Sequence, residues 1–156
     1  MEEWENGVGA HKRGRLVTEV KHFRDLNVYR SSSRIAMRIA ELSKSWPAAE
    51  RYSLIDQIRR SSRSVCSNIA EAWRKRRHPS HFISKLSDSD SEAAETQVWL
   101  EFAWKNGYLP ERDFAELDQQ YEVVSGGLVR MTTQPEKWCG VANLVKEDPA
   151  AYDAGG

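Results

Sequence analysis

Phe114, Leu117, Tyr121, Val124, Leu128 and Met131 alternate at intervals of three and four residues, which places them on one stripe of an α-helix. Three earlier segments repeat the pattern, and each ends at a proline or glycine. Val28, Ile35, Ile39, Leu42 and Trp46 form a first seam, with Ser32 in the gap and Pro47 as its stop. Ile55, Ile58, Ser62, Val65, Ile69 and Ala72 form a second. No glycine or proline interrupts Ala48 to Arg77, so the second helix is expected to run about 45 Å before His78-Pro79 breaks it. Ile83, Leu86, Asp90, Ala93, Gln97, Leu100 and Trp104 mark a third seam from Pro79 to the stop at Asn106-Gly107. A chain with four amphipathic helices and short connections buries its stripes by packing helix on helix. The expected fold is therefore all-α, an antiparallel up-down four-helix bundle.

The bundle is expected over residues 23–134. Residues 1–22 carry Gly7, Gly9 and Gly14 and no apolar period, and they read as a flexible arm; residues 135–156 read as a flexible tail. Gly126 and Gly127 fall inside the fourth helix at a cost of about 1 kcal/mol each against alanine, which calls for bending or close packing there. No stretch reaches eighteen uninterrupted apolar residues, and no apolar run follows the basic residues at the start, so neither a membrane span nor a secretory signal is expected. Cys66 and Cys139 are too few for a disulfide framework, and a reducing cytoplasm is the expected compartment.

A neutral total charge hides two unlike halves. Residues 11–85 hold 18 Lys and Arg against 6 Asp and Glu, whereas residues 86–156 hold 5 against 14. Such asymmetry implies partners.

Catalytic arrangements find little support. A di-metal site in a bundle needs a Glu-x-x-His pair on each of two helices, and the sequence holds one such pair, Glu19 and His22, within the expected arm. The histidines are His11, His22, His78 and His81; the last two could share a metal with Glu71, but exposed histidines at a helix break are the commoner case. Cys66 lies beside the second seam and reads as a small buried hydrophobe. No glycine-rich phosphate loop is present. The chain is expected to be no enzyme and to hold no cofactor or metal.

Polar residues at seam positions carry more information. Ser62, Asp90 and Gln97 mean either a buried hydrogen-bond network that fixes register, or a wet interior or a frame shifted by one residue. A further apolar row, Ala94, Val98 and Phe102, adjoins the third seam and is the candidate oligomer interface.

The basic clusters weigh most. Arg59, Arg60 and Arg63 lie off the second seam, and Arg74, Lys75, Arg76 and Arg77 close that helix; Arg24, Arg30, Arg34 and Arg38 belong to the first. They could form a solvated face, cations being favoured at a helix C-terminus, or pair with the acidic helices within or between subunits. They could equally bind phosphates, with affinity from counterion release. No aromatic-basic motif for reading bases stands out, so such binding would be largely independent of sequence.

Several runs are similar to a known family. Phe23 to Tyr29, Trp46-Pro47 with Glu50, and SLIDQIRRSSRSVCSNIAEAWRK from Ser53 to Lys75 resemble the four-helix-bundle proteins typified by the 23S rRNA intervening-sequence protein. KLSDSDSEAAETQVWLEFAWKNGYL, Lys85 to Leu109, continues the likeness, which covers about residues 22–133. The stretch from Gln57 to Glu71 is its most specific part, and Ala72 stands where the family usually has glycine. The resemblance implies a bundle assembled into a ring, typically a homopentamer. Some members are encoded inside ribosomal RNA intervening sequences. A related branch, the accessory variability proteins of diversity-generating retroelements, binds nucleic acid and a reverse transcriptase through a basic surface. The expectation is thus a ring-forming protein that contacts RNA or DNA through Arg59, Arg60, Arg63, Arg74, Lys75, Arg76 and Arg77. The alternative is an oligomeric adaptor for a protein partner, with those arginines in subunit salt bridges.

Overall fold

A computed structural model describes residues 19–140. Residues 1–18 and 141–156, and with them most of the expected arm and tail, lie outside the described residues. The described residues hold five helices and no strand: α1 (Asn27–Ser43), α2 (Leu54–Arg74), α3 (Pro79–Lys105), α4 (Glu111–Thr133) and a single turn, α5 (Glu136–Cys139). Each long helix packs against the next along the chain, and α1 closes the cycle against α4. Among the described residues no helix is long and apolar enough to cross a membrane.

The termini follow local rules. Pro79 opens α3, where its missing N–H costs nothing. Gly107, at φ +77°, supplies the left-handed turn after α3. A 3-10 turn over Phe23–Asp25 precedes α1, capped by His22, whose Nδ1 accepts from the Arg24 N–H, while Asp25 accepts from the His22 N–H. The second helix is shorter than its sequence suggests. Pro47 begins a 3-10 turn over Ala48–Glu50, and α2 starts only at Leu54. A proline at position 47 suits the first turn of either kind of helix, so that sequence alone does not separate them.

The core confirms the first, second and fourth seams with small exchanges. Ser43 is buried where Leu42 was expected, and Asp113 is buried beside a half-buried Phe114. In α3 the frame is shifted by one: Phe82, Leu86, Ser89, Ala93, Thr96, Leu100 and Ala103 face the core, leaving Ile83, Asp90, Gln97 and Trp104 half-buried. The shift is possible because the two hydroxyl residues find partners. Ser89 Oγ donates to the Val65 carbonyl at 2.8 Å, and Thr96 Oγ1 lies 2.8 Å from Ser61 Oγ. A buried hydrogen-bond network does exist, built from Ser61, Ser89 and Thr96 instead of Asp90 and Gln97. Gln97 spans the surface to α4, donating to Asp118 Oδ1 and Glu122 Oε1.

Helix α4 runs unbroken through Gly126 and Gly127, and close packing on Val28 explains the second of them. The first residues expected as tail form α5, which buries Cys139 and sets Trp138 edge-on to Trp73 at 6.3 Å.

Candidate nucleic-acid interface

The outward side of α2 carries the basic face. Positions 60, 63, 67 and 74 are three, four and seven residues apart and so point the same way. Arg60, Arg63 and Arg74 therefore share a face, with Ser67 and Ala70 between them. Arg51, from the turn before α2, joins Arg59, Arg60 and Arg63 around an open groove of about 590 Å³. Ser64 and Ser67 line the same groove, and Asp56 is its one acidic residue.

The arginines of this groove have different tasks. Arg59 Nε donates to Ser43 Oγ at 2.9 Å and its Nη2 to the Ala40 carbonyl at 3.4 Å, which ties α2 to the last turn of α1. The Ala40 carbonyl also accepts from Ser43 Oγ at 3.2 Å, so the three groups close the end of α1 together. Arg60 is mostly exposed; its Nη2 donates to Gln57 Oε1 at 3.4 Å and lies 3.9 Å from Glu95 Oε1. Arg51 and Arg63 are exposed, and their side chains have no hydrogen-bond or ion-pair partner among the described residues.

Beyond the groove, Arg74, Lys75 and Arg77 are exposed. Arg76 is placed apart from them. Its guanidinium sits 3.4 Å over the Trp73 ring and its Nε donates to the Trp73 carbonyl at 2.8 Å. Burial lowers its hold on the proton. The predicted cluster is thus divided: Arg60, Arg63, Arg74, Lys75 and Arg77 face solvent, while Arg59 and Arg76 also hold the packing. Arg51 escaped the sequence reading because its segment looked helical.

Part of the charge asymmetry is matched inside the chain. Arg38 of α1 lies 3.0 Å from Asp113 and 3.7 Å from Glu116 of α4. Lys85 of α3 lies 2.8 Å from Glu71 of α2, whose hydrogen bond and charge raise the lysine's pKa. Arg30 reaches Asp25 at 3.8 Å, and Arg24 stacks over Phe23 at 4.6 Å.

The other candidate features fall elsewhere. His78 and His81 have rings 5.5 Å apart, but Glu71 is engaged by Lys85. Among the described residues no group of three or more His, Cys, Asp or Glu is placed to hold a metal. Cys66 is half-buried, its thiol directed at the Ser62 carbonyl at 3.8 Å, and burial pushes its pKa up to about 11. An activated cysteine needs the opposite shift. Ala94, Val98 and Phe102 are all exposed, Val98 by 45% and Phe102 by 50%.

A closed cycle of four long helices with an arginine-lined groove on one of them defines a small all-helical protein with a basic face. The family model described as 23S rRNA-intervening sequence protein matches residues 24–130, and the chain belongs to that family. It is also similar to a crystal structure from Bacteroides thetaiotaomicron, described as a protein of unknown function from the S23 ribosomal protein family. That likeness has a TM-score of 0.61 at 27% identity and covers 68% of this chain and 95% of the other. No curated protein matches the chain.

Proposed function

We propose that the protein is a non-enzymatic, ring-forming antiparallel four-helix bundle that contacts RNA or DNA phosphates through the basic face of α2. One observation carries this reading: Arg51, Arg59, Arg60 and Arg63 converge on one open groove, and the side chains of two of them have no partner among the described residues. Unpaired guanidiniums held close together repel one another, and a polyanion relieves that repulsion while releasing its own counterions. Membership in a family described by an intervening sequence of 23S rRNA fits an RNA partner. The antiparallel arrangement is supported by two contacts that run in opposite senses, Ser89 to Val65 and Thr96 to Ser61. The exposed row Ala94, Val98 and Phe102 supports assembly through α3.

A second reading is favoured by the cross-helix pairs Arg38–Asp113 and Arg60–Glu95. Basic and acidic helices already match within the chain, so the same charges could serve between subunits of an oligomeric adaptor that binds a protein partner.

The test is fluorescence anisotropy of nuclease-treated protein with labelled RNA and DNA oligonucleotides at about 50 and 200 mM salt. Binding through six or more phosphates should weaken about a thousandfold or more between those conditions. Absence of binding at the lower salt would overturn the nucleic-acid reading and leave the adaptor.

A further inference from the structure

An aromatic residue lies near each end of α2, Tyr52 just before its first turn and Phe23 beside its last. Tyr52 follows Arg51 in the turn before α2, and it is 87% exposed. Tyrosine is usually at least half covered, since its ring gains by burial. Arg51 and Ile55, on either side of it in sequence, both line the arginine groove, so Tyr52 follows in the chain directly on a groove residue.

At the opposite end lies a hollow of about 310 Å³ lined by Phe23, Ala70, Arg74 and Lys75. The 3-10 turn before α1 packs against α2 and sets Phe23 there, half-buried against the core. Glu71 also borders the hollow, but its carboxylate is occupied by Lys85 at 2.8 Å. The twenty residue steps from Leu54 to Arg74 separate the two ends by about 30 Å. Small side chains, Ser64, Ser67 and Ala70, lie between the arginines and allow close approach to the helix.

Cations beside aromatic surface suit unpaired bases. Within a duplex the bases are stacked on one another and present only their edges, so an aromatic face has nothing to cover. On a single strand each base offers a free face, and stacking tolerates any sequence. We infer that this face takes a single-stranded nucleic acid, with one base stacked on Tyr52 and another received by the Phe23–Ala70 hollow. Arg60, Arg63 and Arg74 hold the phosphates between them. The inference rests on the nucleic-acid reading above and narrows it to unpaired strands.

The experiment is anisotropy on the full chain at one fixed salt concentration, with an unstructured oligonucleotide and a duplex of the same length, each as RNA and as DNA. The single strand should bind about tenfold or more tightly than the duplex in at least one of the two sugars, and the RNA and DNA arms tell which. Tyr52→Ala should weaken single-strand binding by at least about fivefold and leave duplex binding unchanged, while Tyr52→Phe keeps the wild-type affinity. Ala70→Leu, which fills the hollow from a half-buried position, should act in the same direction. Equal or tighter duplex binding, or an unaffected Tyr52→Ala, would overturn the single-strand inference while a steep salt dependence left phosphate binding standing. If no oligonucleotide binds at low salt, both readings fall.

Discussion

Gly127 packs so closely on Val28 that a Cβ at the glycine would stand 2.6 Å from Val28 Cγ1. No real contact is that short, and valine, branched at Cβ, has few rotamers with which to give way. Gly127→Ala should therefore destabilise by about 1–2 kcal/mol even though alanine is the better helix former. At Gly126 the same Cβ would meet only the flexible end of Arg130, at 3.6 Å. Gly126→Ala should stabilise by about 0.5–1 kcal/mol. Urea denaturation of the two variants checks both signs, and equal shifts would refute the close-approach account.

Thr96 and Ser61 form a buried polar contact between α3 and α2, both fully shielded from solvent. Thr96→Val keeps the shape and leaves the Ser61 hydroxyl with only a long 3.4 Å bond to the Ile58 carbonyl. The loss should be about 1–2 kcal/mol. Adding Ser61→Ala should cost less than the two single losses combined, since the orphaned group is then removed. A strictly additive double-mutant cycle would contradict this.

These two relationships also mark where the sequence was readable. The stripe from Leu117 to Met131 is apolar at nearly every position, so period alone placed α4 correctly. In α3 the eye follows Ile83 and Trp104, whereas Phe82, Ser89, Thr96 and Ala103 are buried. Hydrophobicity ranks serine and threonine low, yet each becomes inexpensive to bury once a partner such as the Val65 carbonyl or Ser61 is at hand, and that partner sits on another helix. The basic site was legible as a cluster, because charge can be counted along the chain. Its division was not. Nothing local distinguishes Arg59, bonded to Ser43 sixteen residues away, from the unpartnered Arg63. The exposure of Tyr52 likewise depends on α2 starting after residue 53.

Arg59 and Arg63 should consequently separate stability from binding. Arg59→Ala removes two bonds to the end of α1 and should lower stability by about 1–3 kcal/mol. Arg63→Ala should leave the melting temperature unchanged and weaken oligonucleotide binding, with the slope of log affinity against log salt smaller by about one. Thermal melts and salt titrations on the two variants measure this. A stability loss at Arg63 equal to that at Arg59 would show that the groove's arginines all serve the fold.

Cys66 gives the chain a dependence on alkaline pH. Its folded pKa of about 11 exceeds the ordinary 9.0 because burial disfavours the thiolate. The unfolded chain ionises first as pH rises. The contribution is therefore complete below pH 9 and is lost as pH climbs towards 11. At pH 8 the folded protein should carry about a hundredfold less thiolate at this site than an open cysteine, and iodoacetamide should label it correspondingly slowly. Peptide mass spectrometry of the labelled protein, with and without urea, reads the ratio. Rapid labelling in the folded state would mean that the thiol is not shielded as described.

Phe102 is half exposed on α3, next to the tilted ring of Trp99 at 6.1 Å, and it shares its row with Val98 and Ala94. Assembly through this row would bury apolar surface that the single chain leaves wet, at a gain of about 25 cal/mol per Å². Phe102→Glu places a charge in the middle of that surface, where desolvation in an interface is costly and no cation on α3 lies within a turn except Lys105. The expected outcome is a fall to monomer mass in light scattering, with the helical circular dichroism unchanged because position 102 lies outside the core. Arg60, on α2, should be indifferent to this change if its groove serves nucleic acid, so the monomeric variant should keep its affinity for short oligonucleotides. Were the groove instead a subunit contact, dissociation would expose it and raise oligonucleotide binding. An oligomer that survives Phe102→Glu would remove this row from the interface altogether.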